Sequence, residues 1–312
     1  MNHQLYYCGF KIDSNVVFPE LSQFESKNSG LGNIKIRIGK VNVPDRHKLL
    51  EGPNWAIGHE KSYWWLDGVL KTKITAEAIT VDADHQAPAA LVRALILEAP
   101  MTIAMQYHSA FCLRVSAVSQ GSFVKAFRFL PGGGSSTAAA WQVCFRNNHT
   151  VSSDTLLTIT LDSENTPIAW PQGSGLLLWP KSRSLLKLNH CPMLEVRSEL
   201  PVRRVFLPSK NNPSKLGRIE VAASYRKLHQ RTQGDLDLVT ARQPFKFVAL
   251  RTAGRLWIDP IGKSKEHFLW CLSIAKTVEL RKATYADLYP TGNFSAELKK
   301  ESHQKVQKKS PS

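Results

Sequence analysis

The residues best suited to chemistry lie in a glycine-rich segment near the middle of the chain. Phe129–Thr137 reads FLPGGGSST, in which three glycines precede three hydroxyl residues, and STAAAWQVCF after them has a helical composition. A strand, a glycine loop and a helix can form an anion site. Glycines let backbone N–H groups turn inward, and the first helical turn leaves N–H groups unpaired. The segment has the outline of a phosphate-binding loop.

The lysine of a working phosphate loop is missing from this segment. In such loops a lysine reaches the β- and γ-phosphates, and a Ser or Thr hydroxyl binds Mg²⁺. Here a hydroxyl residue stands where the lysine is expected. Lys125 and Arg128 precede the loop, but alternation along a strand sends at least one of them away from it. Replacement of the lysine by Arg128 is left open, and so is a plain glycine turn.

Other polar residues give weaker chemical signals. Asp154 can hold Mg²⁺ through water or act as a general base, and it can equally cap a turn after two serines. His149 is interpreted as a turn residue. The sequence contains no Cys/His cluster with metal-ligand spacing and no GxSxG elbow, so neither a zinc site nor a Ser-His-Asp hydrolase is supported.

The segments around the loop predict an α/β arrangement. Short strands are expected over the first eighty-odd residues, among them Asn33–Gly39, which alternates with period two. Residues 87–106 have helical spacing, and Pro100 predicts a kink or a junction between two helices. FCLRVSAV and SFVKAFRFL are predicted as strands before the glycine loop, and STAAAWQVCF as a helix after it.

The bulk composition predicts a folded and strongly basic protein. The 312 residues are 43% hydrophobic, which is enough for a sizeable core in two domains or in one large domain with an extension. The formal net charge of +16 attracts nucleic acid, nucleotides, acidic peptides and anionic lipid without choosing among them. Nucleic-acid binding is kept as an alternative.

The cysteines and the apolar segments favour a cytoplasmic protein. Five scattered cysteines without a CxxC pair are typical of buried thiols in a reducing compartment. The opening MNHQLYYCGF has neither a basic start nor an apolar core, so no secretory signal is expected. Arg93 and Glu98 interrupt the apolar stretch 87–105, so no membrane span is expected.

From Tyr107 onward the order of motifs resembles the HPr serine kinase-like family, in particular the HPr kinase-related proteins found with peptide-modification genes. The matching segments, in chain order, are His108-Ser109-Ala110, Phe127 to Leu130, the glycine loop, Asn148-His149 and Ser153-Asp154. The segments YYCGFKIDSNVVFPEL and GLLLWPKSRSLLKL are also similar to that family. The resemblance covers most of residues 5–290 and depends on order and spacing.

The resemblance implies a fold and a domain division. The expected fold is α/β, with an HPr kinase C-terminal-like P-loop core of the phosphoenolpyruvate carboxykinase-like type behind a β-rich N-terminal domain. The expected domains are residues 1–86 for the β-rich part and 87–290 for the core. Residues 291–312 are expected to form a basic disordered tail.

The resemblance also implies site residues, with ATP and Mg²⁺ as cofactors. Asp154 and His108 take the catalytic places, although a histidine bonded to backbone is an equal reading of His108. Ser136 takes the place of the metal ligand. The cofactor-binding positions are Gly132, Gly133, Gly134, Ser135, Ser136 and Thr137.

Two registers of the loop are open, and neither restores a lysine. Ungapped spacing puts Thr137 at the lysine position and Ala138 at the hydroxyl position. A two-residue shift instead puts Ser135 at the lysine position and keeps Ser136 as the hydroxyl. The second aspartate of the family's pair is replaced by Thr155 or by the serine before Asp154.

Three hypotheses follow for function. The first is an HPr kinase-like protein with lost or impaired phosphotransfer, which acts as a peptide- or partner-binding component. The second is an active ATP-dependent serine kinase with an altered nucleotide site. The third is a basic nucleic-acid-binding protein. Phosphoryl transfer depends on cations set against the transferring oxygens, and each lost contact costs roughly two to three orders of magnitude in rate.

Overall fold

The computed structural model of the protein describes residues 3–21, 30–43, 49–120, 123–128, 134–146, 149–172, 176–178, 180–188, 194–195, 203–206, 214–222 and 243–283. Over these residues the fold is mixed α/β, as predicted, with two large sheets and a small third one. The tail predicted at 291–312 lies outside them. The division into domains at 86 and 290 stays a prediction.

The first sheet is built from the N-terminal part of the chain. Its strand order is β1-β2-β3-β8-β7-β6-β5-β4, with parallel pairing of β3 to both β2 and β8 and antiparallel pairing elsewhere. Alternate residues of β2 and β7 are buried, as expected for a sheet with one face on the core. The strand predicted at Asn33–Gly39 is β3. The bounds are β1 (His3–Tyr7), β2 (Phe10–Ser14), β3 (Gly32–Ile38), β4 (Leu50–Gly52), β5 (Trp55–Ile57), β6 (Ser62–Leu66), β7 (Leu70–Ile74) and β8 (Ala78–Ala83).

Two consecutive helices follow the first sheet, as the position of Pro100 predicts. They are α1 (Ala89–Ile96) and α2 (Ala99–Tyr107). Pro100 lies in the first turn of α2, where its missing N–H would have no helical partner anyway. Seven consecutive residues of α2, from Pro100 to Gln106, are buried because the helix lies between the first sheet and the next strand, β9.

The stretch Ala89–Tyr107 is long and apolar enough to cross a bilayer by length and composition. More than half of it is buried inside the protein, and core helices satisfy the same test. Val92, Ile96 and Met101 belong to the apolar core beneath the first sheet. The absence of a membrane span stays a prediction.

The second sheet carries the glycine loop. Its strand order is β12-β10-β11-β18-β14-β13-β9, with β19 beside β18, and β11 and β19 run parallel to β18. The predicted single strand FCLRVSAV is in fact two strands, β9 and β10, which pair with different partners. The bounds are β9 (Phe111–Leu113), β10 (Ser116–Gln120), β11 (Phe123–Arg128), β12 (His149–Ser153), β13 (Leu157–Leu161), β14 (Pro167–Trp170), β18 (Ser214–Ala222) and β19 (Glu279–Ala283).

Among the described residues, the remaining elements are a small sheet and five helices. The third sheet has the order β15-β17-β16, formed by β15 (Leu176–Leu178), β16 (Leu194–Glu195) and β17 (Arg203–Phe206). The helices are α3 (Ser135–Phe145), α4 (Pro180–Leu188), α5 (Gln243–Arg251), α6 (Arg255–Ile258) and α7 (Ser264–Thr277). Helix α3 contacts β10, β11, β12 and β15, so it covers one face of the second sheet.

A second apolar core lies beneath α5 and α7, on the second sheet. Phe111, Ala126, Val248 and Trp270 are all fully buried there. The indole N–H of Trp270 donates to the carbonyl of Ile159 at 3.0 Å, so the polar edge of the ring has a partner inside the core. This core packs against the second sheet, on which the candidate site is built.

The cysteines depart in part from the prediction of buried thiols. Cys8, Cys112 and Cys271 are free and buried, as predicted. Cys144, on α3, is disulfide-bonded. Burial raises the pKa of Cys112 to about 12, so its thiol stays protonated at neutral pH. The scattered spacing of five cysteines gave no signal for the disulfide.

Candidate functional site

The candidate site lies where β11 leads into α3. Gly134 immediately precedes the helix and has φ of +88°, in the left-handed region that glycine adopts without steric cost. Its carbonyl accepts from the N–H of Ala138 at 2.8 Å, which closes the first turn of α3. The predicted positions Gly132 and Gly133 lie outside the described residues. The predicted order of strand, glycine and helix is confirmed for the part that the structure describes.

A buried carboxylate faces the start of α3. The side chain of Asp154 accepts a hydrogen bond from the hydroxyl of Ser136 at 2.8 Å and from that of Ser116 at 2.5 Å, both on Oδ1. The two hydroxyl oxygens are 3.4 Å apart. Asp154 is only 2% exposed. These three side chains, called the Asp154 cluster below, join β10, α3 and the end of β12.

A series of hydrogen bonds between polar side chains supports the backbone of Asp154. Its N–H donates to Oε1 of Gln172 at 2.8 Å, and Nε2 of Gln172 donates to the hydroxyl of Tyr7 at 2.6 Å. The Tyr7 hydroxyl donates in turn to the carbonyl of Leu97 at 3.2 Å. This series therefore ties the cluster to β1 and to the end of α1. Sequence reasoning missed Ser116, Gln172 and Tyr7, because only the folded sheets bring them together.

The turn after Asp154 holds a strained residue. Thr155 has φ of +66°, a conformation that is costly for a β-branched side chain. The hydroxyl of Ser153 donates to the carbonyl of Leu156, and the N–H of Leu156 donates to the carbonyl of Asp154 at 2.8 Å. Backbone and Ser153 hold this turn, while the Asp154 carboxylate reaches across to α3.

The next two residues of α3 differ in their side-chain contacts. The hydroxyl of Thr137 donates to the hydroxyl of Ser182 on α4 at 2.8 Å. Ala138 is fully buried and has no polar side-chain group. The hydroxyl that meets Asp154 therefore belongs to Ser136, which is the hydroxyl position of the shifted register.

The two histidines lie among other contacts. Nε2 of His108 is 2.7 Å from the carbonyl of Ala76, between β7 and β8, and its ring lies 5.1 Å from that of Phe10. These contacts agree with the interpretation of His108 as a histidine bonded to backbone, and they attach it to the first sheet. His149 is buried as the first residue of β12 and pairs with Gln120. A catalytic role for His108 stays a prediction.

The two cations before the loop point to opposite faces of the sheet. Nζ of Lys125 lies 5.4 Å from the centre of the Phe127 ring, so both side chains share one face of β11. Phe127 pairs with Ser116 across the strands, which places that face towards α3. Arg128 lies on the other face of β11. On that face Val124 and Ala126 are buried in the core under α5 and α7.

A second grouping of reactive side chains has ordinary structural contacts. Nε2 of His267 lies 2.9 Å from the hydroxyl of Thr252 and 3.3 Å from the sulfur of Cys271. Burial, with the charge of Arg255, lowers the pKa of His267 to about 4, and burial raises the pKa of Cys271 to about 12. Both groups are neutral at pH 7, which is the opposite of an activated cysteine. Within the described residues no group of three or more His, Cys, Asp or Glu side chains can hold a metal ion.

Comparison with known proteins gives little information about this site. No known protein family and no curated protein matches the chain. One solved structure that is similar in part is the HPr(Ser) kinase/phosphatase from Coxiella burnetii, with a TM-score of 0.25 and 10% identity over 37% of this chain. The match covers 61% of that protein, or about three fifths of its length. This TM-score is too low to carry an argument about fold or function.

Proposed function

We propose that this protein binds the phosphates of a nucleotide, with Mg²⁺, at the junction of β11 and α3, and that its phosphotransfer activity is impaired. The observation that carries the proposal is the 2.8 Å contact between the hydroxyl of Ser136 and the carboxylate of Asp154 at the first turn of α3. In P-loop enzymes a hydroxyl at this place and a carboxylate from a neighbouring strand hold the metal. The described contacts thus support the shifted register.

The donor atoms of the cluster fit Mg²⁺. Asp154 brings a carboxylate, and Ser136 and Ser116 bring hydroxyl oxygens, all of them the hard ligands that Mg²⁺ prefers. Protein sites for Mg²⁺ commonly use one or two carboxylates and leave the other positions to water and substrate phosphates. When bound, the ion would neutralise charge on the phosphates. Ser136 and Asp154 are the residues that would hold it.

The helix itself supplies the second part of an anion site. Backbone N–H groups in the first turn of a helix lack helical partners and carry a partial positive charge. Gly134 opens α3 in the left-handed conformation that phosphate loops use to aim these groups. A phosphate bound there would lie beside Ser136.

The missing lysine is the reason to expect weak catalysis. In the shifted register Ser135 stands at the lysine position, and Thr155 or Ser153 stands beside Asp154 in place of a second acid. Lys125 lies over the Phe127 ring on the strand before the loop. Loss of one charged contact to the transferring oxygens costs roughly 10²–10³-fold in rate. A protein that keeps the nucleotide and loses transfer would act by binding a peptide or protein partner.

Calorimetric titration of the whole chain with ATP and Mg²⁺ tests this proposal. We expect saturable binding to the wild type, weakened about tenfold or more by Asp154→Asn and by Ser136→Ala. The matched controls are Asp162→Asn, an exposed turn carboxylate, and Ser184→Ala, an exposed hydroxyl on α4. Neither control should change the affinity.

Restoring the lysine tests the impairment. Ser135→Lys should tighten ATP binding and raise phosphotransfer to an added peptide above the wild-type level. Absence of ATP binding in both the wild type and Ser135→Lys would contradict the nucleotide site. Fast ATP-dependent phosphorylation by the unmodified protein would contradict the impairment and leave the altered-site kinase.

A further inference from the structure

Two arginines lie next to a short backbone contact at the end of β9. Leu113 forms an antiparallel bridge with Thr252, and the N–H of Ala253 donates to the carbonyl of Cys112 at 2.7 Å. Arg114 follows Leu113, and Arg251, the last residue of α5, precedes Thr252. The bridge therefore brings the backbones of the two arginines close together.

A third arginine joins them from the neighbouring strand. Ser116 pairs with Phe127, so the next step of the antiparallel β10–β11 pair brings Arg128 opposite residue 115, beside Arg114. Partial burial lowers the pKa of Arg128, and the charges of Arg251 and Arg114 lower it further. Arg114, Arg128 and Arg251 are called the arginine cluster below.

The arginine cluster lacks enough negative charge among the described residues. Arg114 lies 3.7 Å from the carboxylate of Glu98, and both side chains are about half exposed. Within the part of the chain that the structure describes, neither Arg128 nor Arg251 has a hydrogen bond or an ion pair to an acidic group. Three arginines and one glutamate leave a surplus of two positive charges. Like charges held together at the end of a strand repel one another, and a bound anion would relieve this repulsion.

The arginine cluster is separate from the Asp154 cluster. Arg128 lies on the face of β11 that covers the core under α5 and α7, whereas Ser116 and Phe127 face α3. The two groups therefore occupy opposite faces of the same strand end. An anion at the arginines does not need the nucleotide site, and the inference does not rest on the proposed function.

We propose that the arginine cluster binds a phosphate group. A phosphate dianion carries the two charges that match the surplus, and its oxygens fit the planar fork of the guanidinium group in pairs. The source is either free inorganic phosphate or a phosphate of a bound nucleotide. Arg128 is the central residue because its partial burial strengthens its interaction with a bound anion.

Calorimetric titration with inorganic phosphate at constant ionic strength tests this site. We expect binding to the wild type and a loss of about tenfold or more in affinity for Arg128→Gln, as for removal of a charge-assisted hydrogen bond. Lys125→Gln removes the same charge from the other face of β11 and should leave the affinity unchanged. Arg128→Gln should cause the same loss of affinity when it is added to Asp154→Asn, which separates this site from the nucleotide site. Equal affinity in wild type and Arg128→Gln, equal losses in both charge variants, or no phosphate binding to the wild type would overturn the proposal.

Thermal unfolding provides a second measurement, and it also shows whether Arg128→Gln is folded. Without phosphate, Arg128→Gln should have a Tm equal to or above that of the wild type, because repulsion within the cluster is relieved. Phosphate should raise the Tm of the wild type by more than that of Arg128→Gln. A Tm rise of the same size in both proteins would contradict the site. A parallel titration with ATP identifies the source: weaker ATP binding by Arg128→Gln points to a nucleotide phosphate, and unchanged ATP binding with weaker phosphate binding points to the free anion.

Discussion

The two faces at the end of β11 differ in how their charges are paired. On the side of α3, the carboxylate of Asp154 is buried and accepts hydrogen bonds from two serine hydroxyls. On the side of α5, Arg128 is partly buried beside Arg114 and Arg251 without a described acidic partner. On the first face, serine hydroxyls of the protein donate to the buried carboxyl group. On the second face, positive charges lie close together, and we assign an anionic ligand to them.

The largest effect is expected from breaking the series of hydrogen bonds that supports Asp154. Gln172→Ala removes two buried hydrogen bonds, one accepted from the N–H of Asp154 and one donated to the Tyr7 hydroxyl. We expect a loss of about 2–4 kcal/mol in the free energy of unfolding, measured by urea denaturation. Gln86→Ala removes an exposed glutamine near α1 and is the control. If Gln172→Ala and Gln86→Ala were equally stable, the hydrogen bonds of Gln172 would not support Asp154 as described.

Acid should lower the free energy of unfolding through His267, on α7. The pKa of His267 is lowered from 6.5 to about 4 in the folded protein by burial and by Arg255. Between these pH values the unfolded chain binds a proton that the folded protein does not, so the free energy of unfolding falls as the pH falls. After allowance for partial exposure of the ring, we expect this contribution to be about 1–2 kcal/mol.

A substitution isolates this contribution of His267 from that of the carboxylates. His267→Gln keeps a polar group beside Thr252 and cannot take up the proton. Urea denaturation of both proteins from pH 7 to pH 4 should give a smaller loss of stability for the variant. Identical pH dependence in the two proteins would show that His267 titrates normally in the fold.

A smaller effect is expected at the turn beside Asp154. Thr155 has φ of +66°, and glycine adopts this conformation without the steric cost. Thr155→Gly should raise the free energy of unfolding by up to about 1 kcal/mol, because relief of strain outweighs the added entropy of the unfolded chain. Thr160→Gly, in the middle part of β13, should instead lower it. A loss of stability at Thr155 would indicate that the threonine side chain supports the cluster.

The local parts of the site could be predicted from the sequence. Glycines followed by hydroxyl residues predict a turn into a helix, and Gly134 and Ser135 form that boundary. The two-helix reading around Pro100 is correct for the same reason, since proline acts on its own neighbours. Asp154 was selected from the family resemblance; the structure shows its contact with Ser136, and its catalytic role stays a prediction.

The long-range parts could not be predicted in this way. Tyr7 and Gln172 are separated by 165 positions and meet only because two sheets come together. The division of FCLRVSAV into β9 and β10 depends on which strands are available for pairing. The arginine cluster depends on the bridge between Leu113 and Thr252. Periodicity reports which face of an element is buried, and it does not report which elements become neighbours.

The most direct test of the central claim is whether Asp154 and Ser136 bind a metal–nucleotide complex. Mn²⁺ can replace Mg²⁺ at oxygen ligands, and its EPR signal distinguishes protein-bound from free ion. We predict a protein-bound Mn²⁺–ATP signal for the wild type, retained in Asp162→Asn and lost in Asp154→Asn and Ser136→Ala. A bound signal of equal strength in all four proteins, or no bound signal in the wild type, would contradict the account.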